Sequence, residues 1–150
     1  MTAFDLRGKV AIVTGGNGGI GLGMAQALVE AGCAVHIWGR NAGKNARALE
    51  ALRAKGRAEA TLCDVSDAKS VEAAMGKALE TFGRVDGCFA NAGVGGGGRR
   101  SFIERPIEEW RQLLATNLDG AFLTLQAAAR HMVERAGRGD AFGRLVVTSS

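Results

Sequence analysis

Five short, mostly apolar runs punctuate the chain: KVAIVT at 9–14, CAVHIW at 33–38, AEATLC at 58–63, VDGCFA at 85–90 and LVVT at 145–148. KVAIVT, CAVHIW and LVVT are near-continuous in apolar residues, the pattern of a strand buried on both faces, while AEATLC and VDGCFA carry Glu59, Thr61 and Asp86 among theirs. Between them the apolar positions switch to a helical period. Ile20, Met24, Ala27, Leu28 and Ala31 recur before Gly32, and a second helix capped by Asn41 runs through Leu49 and Leu52 to Gly56. Val71, Ala74, Met75, Ala78, Leu79 and Phe82 form the clearest helical stripe, with Ser66 as its expected N-cap and Gly83 as its stop. Pro106 suits the first turn of a fourth helix, Glu108 and Glu109 complement its positive end, and Trp110, Leu113, Leu114, Leu118, Ala121 and Leu125 share one face.

Strand and helix thus alternate along the whole chain, which predicts an α/β fold: a doubly wound parallel sheet of the Rossmann type. Residues 1–150 read as the N-terminal part of one such domain, truncated after the fifth strand, with apolar sheet surface left for further elements to cover. At 47% apolar and 23% charged residues the composition is that of a folded globular chain.

Composition and spacing exclude several classes. The net charge of +4 is scattered, and its one concentration, Arg99, Arg100 and Arg105, is interrupted by Glu104. No basic stripe or reading element for nucleic acid is present. Cys33, Cys63 and Cys88 are odd in number and match no zinc or disulfide spacing. They read as small hydrophobes in a reducing compartment. No metal site is expected, since His36 and His131 lack partners at ligand spacing. Asp5, Arg7 and Lys9 interrupt any leader-like stretch and no window is apolar enough to span a membrane, so the expectation is a cytoplasmic protein with no membrane partner.

The turn after the first strand reads TGGNGGIG, residues 14–21, with Gly15, Gly19 and Gly21 in a G-x-x-x-G-x-G spacing. A turn free of side chains lets backbone N–H groups and a helix N-terminus meet a diphosphate. Without a G-K-[ST] it is not a Walker-type phosphate loop.

This turn, with Thr14 before it, resembles the short-chain dehydrogenase/reductase family, as do four further stretches in the family's order. LRGKVAIVTGG at 6–16 resembles the family's usual opening. Asp64-Val65 resembles its adenine contact and Asn91-Ala92-Gly93 its N-A-G signature, while Asn117 stands where it places an active-site asparagine. VVTSS at 146–150 resembles the strand that presents its catalytic serine. The resemblance implies cofactor contacts from Thr14, Gly15, Asn17, Gly18, Gly19, Ile20 and Gly21. It implies further ones from Gly39, Arg40 and Asn41 after the second strand, and from Asp64, Val65, Asn91, Ala92 and Gly93.

In dinucleotide folds a carboxylate at the end of the second strand holds the ribose hydroxyls, whereas an arginine accommodates a 2′-phosphate. Here the acid's slot holds Gly39 with Arg40 beside it, so NADP(H) is expected over NAD(H). The second basic residue that NADP-preferring relatives often carry in the glycine turn is replaced by Asn17 and Gly18.

The expected reaction is hydride transfer between a nicotinamide cofactor and a small carbonyl or secondary alcohol, as in 3-oxoacyl reductases. Asn117 lies three and four residues beyond Leu114 and Leu113, on the face the helix is expected to turn inward. It either satisfies neighbouring backbone or, as the resemblance implies, holds a water leading to a catalytic lysine. Ser150, with Ser149 as the alternative, is expected to hydrogen-bond the substrate oxygen. The family's Tyr-x-x-x-Lys pair is absent and the chain contains no tyrosine, so residues 1–150 read as most of a cofactor site with half of a catalytic set. A non-catalytic dinucleotide sensor or scaffold with the same fold is the alternative. The GGGG run at 95–98 reads equally as a flap at the site's edge or as a surface insertion. Assembly into a tetramer or dimer, through the Pro106 helix and the one after it, is a further implication of the resemblance.

Overall fold

The computed structural model describes residues 4–95 and 101–149. Five strands, β1 (Val10–Thr14), β2 (Ala34–Gly39), β3 (Ala58–Leu62), β4 (Gly87–Ala90) and β5 (Arg144–Val147), form one sheet in the order β3-β2-β1-β4-β5. All four pairings are parallel. The helices are α1 (Gly19–Glu30), α2 (Ala42–Arg53), α3 (Ala68–Phe82), α4 (Ile107–Leu114) and α5 (Gly120–Ala136). The predicted doubly wound sheet is therefore present, with each strand within two residues of its sequence-based bounds.

Successive side chains of β1 and β2 enter opposite cores. Val13, Val35 and Ile37 pack with Ala25 and Val29 of α1 and Ala48 and Leu52 of α2. Ile12, Trp38 and Cys88 pack on the other face with Val71, Ala74, Met75 and Ala78 of α3 and Ala128 of α5. Every residue of β1 and β2 is buried, which is why these strands carry no polar alternation. Burying each large aliphatic among them contributes about 1.5–3 kcal/mol. β5 forms the far edge, with Leu145, Val146 and Val147 substantially exposed.

The N-terminal edge of the sheet is fastened by a carboxylate. Asp86 is 1% exposed and accepts from the Val10 N–H at 2.9 Å and from both Arg84 Nε and Arg84 Nη2, at 2.8 and 2.6 Å. Arg135 of α5 lies 3.3 Å from the same carboxylate and donates to the Val85 carbonyl at 2.7 Å. His131 Nε2 accepts from the Val85 N–H. All three cysteines are buried and free, and burial pushes the Cys33 and Cys88 thiols up to about 12.

Two helix expectations need correction. The N-cap of α3 is Asp67, which accepts from the Lys69 N–H at 3.0 Å, while the Ser66 hydroxyl turns back to donate to Asp64 at 2.7 Å. The helix after Pro106 is not one continuous α-helix. A π-turn over Ala115–Asp119 separates α4 from α5, closed by the Gly120 N–H donating to the Ala115 carbonyl five residues back. The extra residue rotates the phase of everything after it. The buried line becomes Thr116, Gly120, Thr124 and Ala128, while Leu118 is 61% exposed and Trp110 half exposed. A Cβ at Gly120 would lie 2.6 Å from Val65 Cγ2, so glycine there lets the start of α5 close on the segment beyond β3.

Candidate functional site

The chain leaves β1 toward β2 and β3 on one side, then returns to β4 on the other side of β1. Connections departing in opposite directions from adjacent strand ends open a crevice at the C-terminal ends of β1 and β4. The glycine turn after β1 and residues 91–95 after β4 flank it.

The turn needs its glycines for stated reasons. Gly15 and Gly19 have φ of 64° and 51°, the left-handed region. A Cβ at Gly21 would overlap the Gly15 carbonyl oxygen and lie 2.5 Å from Asn91 Nδ2. Gly18 stands at the N-cap of α1 with no side chain to occupy that helix's first N–H groups. Those N–H groups, at the positive end of a 12-residue helix, suit an anion.

Thr14 lies behind the crevice, 1% exposed, with its hydroxyl spent on structure. Its Oγ1 accepts from the N–H groups of Asn91 and Ala92, at 3.0 and 2.9 Å. Asn91 replies by donating Nδ2 to the Thr14 carbonyl at 3.1 Å, and its Oδ1 accepts from the Thr148 hydroxyl at 3.0 Å. One chain of hydrogen bonds thus ties together the ends of β1, β4 and β5.

A cavity of about 280 Å³ occupies the crevice. Gly15 and Asn17 come to it from the glycine turn, and Trp38, Gly39, Arg40 and Asn41 from the end of β2. Val65 comes from beyond β3, with Ala92, Gly93 and Val94 following β4. Eight of the sequence-predicted residues are thereby brought together. Among the described residues, Gly18, Gly19, Ile20 and Gly21 stand outside this lining, in the cap and first turn of α1, where the Ile20 side chain is 69% exposed. Asn41 caps α2 by accepting from the Lys44 N–H at 2.8 Å, as expected of it.

Asp64 is tied to Ser66. Its Oδ1 accepts from the Ser66 hydroxyl and N–H, and the hydroxyl's hydrogen bond is the main reason its carboxyl is held below the usual range. It does not line the cavity.

Asn117 is exposed, correcting the inward placement expected from its distance to Leu113 and Leu114. The π-turn sends Thr116 inward instead, to 5% exposure, and Thr116 lines the cavity. The Asn117 carboxamide closes on Val94, accepting from its N–H at 2.8 Å and donating to its carbonyl at 2.9 Å. Ser149 is exposed beyond β5. Ser150 and residues 96–100, including most of the GGGG run, lie outside the described residues.

Sequence reasoning did not mark Trp38, Lys44, Cys63, Val94 or Thr116, which line the cavity, nor Asn45 behind it. Lys44, in the first turn of α2, lines the same cavity as Arg40 and brings a second cation to it. Its spacing from Arg40, one helical turn past the Asn41 cap, was the available signal. Asn45, 5% exposed, donates Nδ2 to the carbonyls of Gly39 and Thr61, and its Oδ1 accepts from Asn17 Nδ2 at 2.7 Å. Nothing local marks it, because an asparagine within a polar-looking helix reads as surface.

Among the described residues no group of three or more His, Cys, Asp and Glu is placed to hold a metal, and no helix is long and apolar enough to cross a membrane.

Comparison with known proteins agrees with this geometry. The chain is 38% identical over 136 residues to the D-threitol dehydrogenase of Mycolicibacterium smegmatis, covering 89% of this chain and 51% of that protein. It is 37% identical over 134 residues to an uncharacterized oxidoreductase of Thermotoga maritima, covering 88% of this chain and 51% of that one. The chain spans about half the length of the curated relatives it matches. The crystal structure of a short-chain type dehydrogenase/reductase from Mycobacterium marinum superposes with a TM-score of 0.90 at 32% identity, over 98% of this chain and 56% of that one. The NAD+-bound xylitol dehydrogenase superposes with a TM-score of 0.89 at 32% identity, over 97% and 54%. The family model described as short chain dehydrogenase matches residues 9–150. With its switch-point crevice, glycine turn and N-A-G segment in place, the chain belongs to the short-chain dehydrogenase family.

Proposed function

We propose that this chain forms the coenzyme-binding part of an oxidoreductase that works on a carbonyl or secondary alcohol and takes NADP(H) in preference to NAD(H). The observation that carries the proposal is the pairing of Arg40 and Lys44 on one cavity whose other described lining residues are uncharged. Two cations with no carboxylate among them favour a ribose bearing a phosphate over a ribose diol.

The residues present fit such a coenzyme. The glycine turn leaves room for backbone to approach a diphosphate, and the uncapped start of α1 offers N–H groups to it. Arg40 and Lys44 would hold a 2′-phosphate, and Val65 with Ala92 would border the adenosine half. When bound, the dinucleotide supplies or accepts the hydride. Asn117 fixes the Val94 backbone and so shapes the wall of the crevice. Ser150 is assigned to hydrogen-bond the substrate oxygen. No proton-transferring acid/base is assigned among residues 1–150, which contain no tyrosine. Relatives are named for D-threitol and xylitol, so polyols and the corresponding ketoses are the first substrates to offer.

The test is a titration of the full-length protein with NADPH and NADH, read by quenching of tryptophan emission, since Trp38 lines the cavity. NADPH is expected to bind more tightly. Arg40→Ala and Lys44→Ala are each expected to weaken NADPH by about tenfold, the loss of one charge-assisted contact, with little change for NADH. Equal losses for both coenzymes would refute the preference.

A further inference from the structure

Gly39 ends β2 at the cavity, the position where a carboxylate would select the ribose diol. The space over its Cα is not empty. A Cβ built there would overlap Asn17 Nδ2 and would lie 2.6 Å from Asn45 Oδ1 and 2.8 Å from Asn17 Cγ. The volume a side chain at position 39 needs is filled by the hydrogen bond between these two carboxamides.

That pair has little freedom to yield. Asn45 is buried, and the two hydrogens of its Nδ2 go to carbonyls of two different strands, Gly39 at 3.0 Å and Thr61 at 3.3 Å. Its Oδ1 takes the hydrogen from Asn17 at 2.7 Å. Turning the amide over would set its oxygen against two carbonyl oxygens, so one orientation is enforced. Thr61 is itself held from below, its hydroxyl 2.8 Å from His36 Nε2. The Asn17 side chain can leave this position only by giving up its hydrogen bond and so stranding the buried Asn45 oxygen.

From this we infer that the Asn17–Asn45 clasp is a specificity determinant of the site: it excludes any acid at position 39 and keeps the cavity's described charge to Arg40 and Lys44. The inference rests on the coenzyme assignment above and adds the reason the acid is missing. Glycine at 39 is required by the clasp, and an acid can enter only when the clasp is removed. Asn17 lines the cavity, whereas Asn45 acts through Asn17 and is a positioning residue.

The experiment introduces Gly39→Asp into the full-length native protein and into an Asn17→Ala/Asn45→Ala background. In the native background Gly39→Asp is expected to weaken both NADPH and NADH at least tenfold, because it pushes the Asn17 side chain out of the clasp and into the cavity. In the clasp-free background it is expected to strengthen NADH about tenfold relative to that background alone, and to weaken NADPH further. Gly39→Ala provides a readout that needs no coenzyme. It is expected to lower Tm by about 5 °C in the native protein and by much less without the clasp. If Gly39→Asp alone converts the native protein to NADH, or Gly39→Ala costs the same in both backgrounds, the clasp has no such role and the coenzyme assignment stands. If the native protein binds neither coenzyme, the assignment falls and the specificity role with it, while Tm alone still decides whether the clasp fills the space.

Discussion

Asn117 holds Val94 by both polar groups of its backbone, Oδ1 on the N–H at 2.8 Å and Nδ2 on the carbonyl at 2.9 Å. The side-chain amide thus imitates a strand neighbour for a segment that has left the sheet. It does so because the π-turn over Ala115–Asp119 aims residue 117 at that segment and gives the inward position to Thr116. Each of the two hydrogen bonds contributes about 0.5–1.5 kcal/mol.

Asn117→Ala is therefore expected to cost about 1–2 kcal/mol of stability and to release the Val94 amide to fast hydrogen exchange. Asn117→Asp should retain protection at the Val94 N–H while setting a carboxylate against the Val94 carbonyl. Hydrogen exchange at that amide measures both, and unchanged protection in the alanine variant would show that the clasp on Val94 carries no weight.

The Thr14 hydroxyl accepts two backbone N–H groups at a site 1% exposed. Thr14→Val keeps the shape and leaves the Asn91 and Ala92 amides without an acceptor. The expected loss is about 2–4 kcal/mol, with Thr14→Ser losing far less. Urea unfolding of both variants decides it. Coenzyme affinity is expected to follow stability, since Thr14 stands behind the cavity.

His36 is 1% exposed on β2, and burial pushes its pKa down to about 4. The unfolded chain has a histidine near pKa ~6.5, so between that pH and about 4 the unfolded state binds the extra proton. Stability is then full above roughly pH 6.5 and declines as pH falls toward 4, by an amount on the order of 3 kcal/mol. His36→Gln, which preserves a partner for Thr61, is expected to flatten Tm across that window. An unchanged slope would assign the pH dependence to other groups.

For Asp86, burial alone raises the carboxyl, but hydrogen bonds from Arg84 and Val10 and the charges of Arg84 and Arg135 outweigh it and leave the pKa lowered. Its contribution is present above the ordinary carboxylate range and is lost as pH falls through the depressed value. Asp86→Asn leaves Arg135, 7% exposed, with Asp140, 3.4 Å from its Nε, as its remaining counter-charge. The expected loss at neutral pH is about 3–5 kcal/mol, read by urea unfolding. A loss within experimental error would mean that Asp140 and the backbone acceptors of Arg135 suffice.

Several features of the site were legible in the residues because they are local. A left-handed φ at Gly15 and Gly19 restricts those positions to glycine, and Asn41 reaches an N–H only three residues away. The stripe from Val71 to Ala78 shows its buried face by period alone. Asn117 was legible as a residue type in a motif, but its direction was not. A π-turn adds one residue to a helix without breaking any hydrophobic pattern strongly enough to announce itself, and the phase of α5 followed it.

By itself the sequence determined the order and kind of the elements, the parallel sheet they must form, and the place of the glycine turn, since hydrophobic period and backbone permissiveness act within a few residues. Tertiary structure alone decided who meets whom at the crevice. Asn17 finds Asn45 across 28 residues, and Thr14 finds Asn91 across 77. Those meetings depend on the strand order β3-β2-β1-β4-β5, and the space each side chain may occupy is set by backbone brought from elsewhere in the chain.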